Sequence, residues 1–113
     1  MGGSFQTEEG HRDAALRPIR VALRKEHLWA RAQEMVEDLP RWEMVSRDDA
    51  SMRMTCRRPG GFLAGEATIT IRVEGPEDLP SSAVQLEAEA SGFLARPSAV
   101  ALEFLRPFRQ RVC

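Results

Sequence analysis

Apolar and polar residues alternate with a period of two along the middle of the chain. Met52, Met54 and Cys56 fall on one side of a run whose other side is Arg53, Thr55 and Arg57. Ala67, Ile69, Ile71 and Val73 oppose Glu66, Thr68, Thr70 and Arg72, and Val84, Leu86, Ala88 and Ala90 oppose Gln85, Glu87 and Glu89. Successive side chains of a strand point to opposite faces, so these runs predict three consecutive strands with one dry and one wet side. A sheet with one solvated face is an antiparallel sheet. Trp42 to Arg47 is a further strand candidate, followed by a turn at Asp48-Asp49-Ala50.

The flanking segments read differently. Ile19, Val21 and Leu23 share one face of a short opening strand. Leu28, Ala32, Met35, Val36 and Leu39 then draw the single stripe of an amphipathic helix, which Pro40 ends. Ala101, Phe104, Leu105, Phe108 and Val112 give the same stripe to a closing helix over Ser98–Val112, with Ser98 as its cap. Pro107 predicts a bend or fresh turn near Arg106, because an internal proline removes a hydrogen bond and crowds the preceding turn. Residues 1–17, with three glycines, scattered charge and an isolated Phe5, read as a flexible tail. The expected architecture is α+β: one domain over residues 18–113, a two-layer antiparallel sheet with helices on one face, in the order β-α-β-β-β-β-α.

Composition changes this picture little. A length of 113 residues suits one domain, and 42% hydrophobic with 29% charged residues is ordinary for a globular chain. Sixteen basic and 17 acidic residues leave a net charge of −1, which argues against a nucleic-acid or membrane-surface role. The N-terminus has no apolar signal segment and no stretch is long enough to span a bilayer, so the expected location is cytoplasmic. Two cysteines are too few for a disulfide framework, and Cys56, inside an alternating strand, reads as a reduced apolar filler.

Candidate chemistry is sparse. His11 falls in the tail and His27 at a helix start beside Glu26, so no three- or four-ligand metal set emerges. Arg58-Pro-Gly-Gly-Phe62 lacks the lysine and hydroxyl residue of a phosphate loop. Neither a catalytic residue set nor a cofactor or metal is expected. The wet-face charges, Arg53, Arg57 and Arg72 against Glu66, Glu87 and Glu89, read as cross-strand pairs. Arg106, Arg109 and Arg111 suit the negative end of a helix dipole; the alternative is weak docking to an acidic partner or RNA.

Two loops repeat a tetrapeptide, Gly61-Phe62-Leu63-Ala64 and Gly92-Phe93-Leu94-Ala95. In a meander both lie at one end of the sheet, where the Phe-Leu pairs either close the core or border a site. Met35, Met44, Met52 and Met54 read as core filler, with an adaptable pocket lining as the alternative.

The chain also resembles a bacterial family, the domain-of-unknown-function family 1499, over about residues 18–112. The resemblance rests on Leu39-Pro-Arg-Trp42-Glu-Met-Val45, on Gly61-Phe62 and on the strand Ala67–Val73. That family's Ser-Arg and Asp-x-Gly-x-Asn signature after the last strand is absent; Ala90-Ser-Gly-Phe-Leu-Ala-Arg-Pro97 stands there, so no polar site is carried over. More distantly, Ile19 to Trp29 is similar to the opening strand and helix of START and polyketide-cyclase proteins, a helix-grip fold. That resemblance implies a cupped sheet holding an apolar ligand against the last helix. The function expected is a non-enzymatic module that binds an apolar ligand or a protein partner through Met54, Phe62, Leu63, Phe93, Leu94, Phe104 and Phe108. The alternatives are a small cyclase- or hydrolase-type enzyme with a pocket carboxylate, and a homodimer joined along a strand edge.

Overall fold

The dry face of the alternating runs is the interior of the protein. In the computed structural model, which describes residues 3–60, 65–92 and 96–112, Ile69, Ile71, Val84 and Leu86 are all at most 1% exposed. Strands β1 (Gly3–Gln6), β2 (Ile19–Val21), β3 (Glu43–Asp48), β4 (Arg53–Arg58), β5 (Ala67–Glu74) and β6 (Ser82–Ala90) form one sheet. Its order is β1-β6-β5-β4-β3, every pairing is antiparallel, and β2 also pairs with β6. Helices α1 (Lys25–Asp38) and α2 (Pro97–Val112) pack on the inner face and touch each other. The α+β class, with the helices on one side of an antiparallel sheet, is as the patterning predicts.

Register explains why the periodic pattern is so clean. Cys56 faces Ile69, which faces Ala88; Met54 faces Ile71, which faces Leu86. A slip of one residue would send each of these to solvent, so burial of one face pins the register. The layer above is filled by Leu28, Ala32, Met35 and Val36 of α1 and by Ala101, Phe104, Leu105 and Phe108 of α2. Met35 and Met54 are buried and Met44 and Met52 pack against the core, which is the filler role.

The first residues depart from the expected tail. Gly3–Gln6 pairs with Ala90–Glu87, and Ile19–Val21 pairs with Val84–Ser82, so β1 and β2 are two halves of one split edge strand along β6. Thr7 sits at the break, 6% exposed. Its backbone N–H donates to the Leu86 carbonyl at 2.9 Å. Its hydroxyl accepts from the Leu86 N–H at 3.0 Å and stands within 3.0 Å of Gln85 Oε1. A side chain thus replaces the missing ladder partner, as a buried N–H requires. The chain then leaves the edge in a short 3-10 turn, Ala14–Leu16, capped by Asp13. Leu16 inserts into the core, and the Arg109 guanidinium of α2 donates to the Ala14 and Arg17 carbonyls.

Of the two outcomes expected at Pro107, a fresh turn does not occur: α2 runs through the proline as one helix. Phe104, Leu105 and Phe108 lie on both sides of the proline and are fully buried, so packing holds the helix together across the lost bond.

Candidate functional site

Three chain segments meet where β4 ends and β5 begins, where β6 ends, and where α2 starts. Ser91 N–H donates to the Glu66 carbonyl at 3.0 Å, tying the departure of β6 to the entry of β5. Gly65 has a φ of 70°, and a Cβ there would stand 2.0 Å from the Ser91 carbonyl oxygen. Only glycine fits so close a crossing in that conformation. Both tetrapeptide segments therefore spring from this one end, as the meander predicts. Residues 61–64 and 93–95, and with them Phe62, Leu63, Phe93 and Leu94, lie outside the described residues.

Under the first turns of α2 the layers part. A pocket of about 170 Å³ is walled by Ala67, Ala90, Ala99 and Val100, with Arg58, Arg96 and Glu103 at its polar side. The walls are small because the inner face of the sheet ends in alanines here, whereas bulky residues occupy its middle. Glu103 of α2 accepts on one oxygen, Oε1, from the Arg58 Nε–H at 2.7 Å and from the Trp42 indole N–H at 3.2 Å. Arg58 has only 15% of its side chain exposed and Glu103 has 36%. A half-buried ion pair needs such accompanying hydrogen bonds to offset its desolvation. Trp42 in turn stacks on Phe104, with ring centroids 6.0 Å apart and planes 29° apart. The polar cluster is thus seated on the aromatic core.

Met54, Phe104 and Phe108 are placed differently from the ligand-lining role expected of them. They are 1%, 0% and 0% exposed, and the Phe104 and Phe108 rings pack 4.8 Å apart. Their surface is spent on core packing, and the pocket beneath α2 is lined by other residues. The centre of the sheet–helix sandwich is filled by these rings with Ile19, Leu28, Ile69, Ile71, Leu86 and Leu105. Among the described residues four clefts are larger, and two of them, of about 490 and 440 Å³, are open troughs along β1. Their walls are rich in carboxylates, Glu8, Glu87 and Glu89 in one and Glu66 and Glu89 in the other, and neither lies between the layers.

The remaining candidates fall into structural roles. His27 is exposed; His11 accepts from the Asp13 N–H at Nδ1 and lies edge-on to Phe5. Among the described residues no group of three or more His, Cys, Asp or Glu could hold a metal ion. Burial pushes the Cys56 thiol up to about 12. Asp48 accepts from the Ala50 and Ser51 N–H groups, and the Ser51 contacts hold its carboxyl below the usual range. On the wet face Arg57 pairs with Glu43 at 2.6 Å, which raises the pKa of the guanidinium, and Arg72 reaches Glu87 at 3.9 Å. In the α2 basic cluster Arg109 clasps two carbonyls and Arg111 pairs with Asp38 at 2.8 Å, so two of the three arginines have internal partners. Sequence reasoning missed Glu103, Arg58 and Trp42 as a unit. The available signal was a carboxylate one position before Phe104, at the margin of the α2 apolar stripe.

No protein-family model matches the chain, and no curated protein matches it either. Solved structures do. The crystal structure of Ara h 8.0201 aligns with 98% of this chain and 97% of its own, at a TM-score of 0.62 and 8% identity. A Thermobifida fusca protein solved by solution NMR as a structural-genomics target aligns with 96% of this chain and 91% of its own, at a TM-score of 0.57 and 14% identity. Among the described residues no helix is long and apolar enough to cross a membrane. The architecture that the chain shares with these structures is the helix-grip, or Bet v1-like, fold.

Proposed function

We propose that the protein is a non-enzymatic binding module that captures a small ligand, apolar over most of its surface, at the mouth between the first turns of α2 and the ends of β4, β5 and β6. The observation that carries this reading is the alanine- and valine-walled pocket of about 170 Å³ beside the Arg58–Glu103 pair, set against a sandwich centre that is filled. Concave, mostly apolar sites with a few converging polar groups are the general form of ligand pockets. Helix-grip folds often hold apolar ligands on the inner side of the last helix, which supports the location; at 8% and 14% identity the likeness extends to the fold alone. The pocket is smaller than the roughly 300 Å³ at which drug-sized sites begin, so the ligand is small or enters only in part.

An enzyme with a pocket carboxylate fits less well. Glu103 is that carboxylate, but the Arg58 and Trp42 donors both occupy its Oε1, and neither a histidine nor a nucleophile lines the pocket among the described residues. Edge-to-edge dimerisation would use β3 or the split β1–β2 edge. Strand β3 carries a register irregularity between Met44 and Ser46, and the other edge is broken between Gln6 and Ile19; interrupted edges of both kinds discourage strand addition.

The test is a two-dimensional amide NMR titration with a panel of small aliphatic compounds. Shifts are expected at Ala67, Ala99, Val100 and the Trp42 indole N–H. The exposed-position variant Ala99→Phe, which fills the pocket, should abolish them without lowering the melting temperature. Shifts confined to the β1 troughs, or binding that survives Ala99→Phe, would sink the reading.

A further inference from the structure

We infer that the α2 mouth selects a short-chain monocarboxylate, with its head on the Arg58 and Arg96 guanidinium groups and its tail against the alanine wall. This rests on the binding role proposed above and gives the ligand its chemical class.

Three observations lead there. The first is the unused edge of Arg58. A guanidinium offers five N–H donors in a planar fork. Arg58 uses Nε on Glu103, and its Nη edge has no partner among the described residues, although only 15% of the side chain is exposed. No buried side-chain nitrogen lacks a partner among the described residues, so this unpartnered Nη edge keeps exposed surface, and an Nη edge of that kind receives a carboxylate through two parallel bonds. Glu103 anchors the guanidinium at Nε and leaves the Nη end free of that contact.

The second is charge. Arg58 and Arg96 against Glu103 leave one positive charge around the pocket. A monoanion closes that balance, a neutral ligand leaves it open, and a cation enlarges it. The positive end of the 16-residue helix α2 lies on the same side and adds to the preference.

The third is size. At roughly 30 Å³ for each water-sized volume, 170 Å³ holds about six heavy atoms. Four-carbon acids match this, and among the described residues their hydrocarbon part meets Gly65, Ala67, Ala90, Ala99 and Val100.

The experiment compares butanoate, butanamide and butylammonium by calorimetry and amide NMR, on the wild-type chain and on Arg58→Gln and Arg96→Gln. Charge-assisted hydrogen bonds predict that butanoate binds at least about tenfold more tightly than butanamide, and that butylammonium does not bind. Arg58→Gln should bring butanoate down to the level of butanamide. Arg96 is exposed, so Arg96→Gln keeps the fold intact and should weaken butanoate severalfold even if the Arg58 variant is unstable. Equal binding of butanoate and butanamide would overturn the carboxylate assignment while leaving a binding mouth in place. Preference for butylammonium would overturn it in favour of Glu103 as the reader. Failure of all three compounds and of the wider aliphatic panel would remove both the assignment and the binding role beneath it.

Discussion

Single residues in this protein owe their behaviour to which side of a strand they occupy. Cys56 alternates with Thr55 and Arg57 and so faces inward, where it has no measurable exposure. Burial disfavours the thiolate and pushes the pKa from 9.0 to about 12. Because the folded value is the higher one, the contribution to stability is fully present below about pH 9 and is lost as pH rises toward 12. Urea unfolding across that range should therefore show stability falling above pH 9, and Cys56→Ala should flatten that part of the slope. Alkylation of Cys56 in the native protein at neutral pH should be slow and limited by unfolding. The inward direction of Cys56 was legible from alternation alone. The meeting of Arg58, Glu103 and Trp42 was not, since the partners stand 45 and 61 residues from Glu103.

At the scale of elements, the long strands and both helices follow the sequence pattern closely, and the two departures have physical causes. Strand β1 offers only Phe5 as an inward apolar residue, and its link to the sheet is main-chain pairing with β6. Main-chain pairing leaves no side-chain period, so the segment reads as a tail until β6 provides an edge. Pro107 is the opposite case, a strong local signal overruled by packing. Residue 107 lies four places after Glu103, whose carbonyl therefore loses its helical partner. Phe104 and Phe108, buried on either side, hold the helix against that loss of about 3 kcal/mol. Pro107→Ala should accordingly raise stability by about 1–3 kcal/mol, seen as a higher melting temperature, with little change at the mouth. A fall in melting temperature would mean that the proline is needed for the way α2 seats on the sheet.

For the whole molecule, the decisive fact is that, among the described residues, the grip is closed at its centre and keeps a pocket at one end. Phe104 sits at the junction, stacked on Trp42 and tilted against Phe108. Phe104→Ala should cost about 3–5 kcal/mol in urea unfolding, a large share of the 5–15 kcal/mol typical of a domain. A loss below about 1 kcal/mol would instead fit a ring lining a cavity, as first expected of it. The sequence by itself determined the two-layer α+β plan, the dry face of the sheet and the end from which both tetrapeptide segments spring. It could do so because backbone geometry fixes side-chain direction at every position, whatever the partners are. Only the tertiary structure decided that β1 and β2 share one edge, that α2 stays whole, and that a small pocket remains beside Arg58 and Glu103. Those outcomes depend on register and on how one helix seats across the sheet, and they join residues far apart in the chain whose spacing carries no signal.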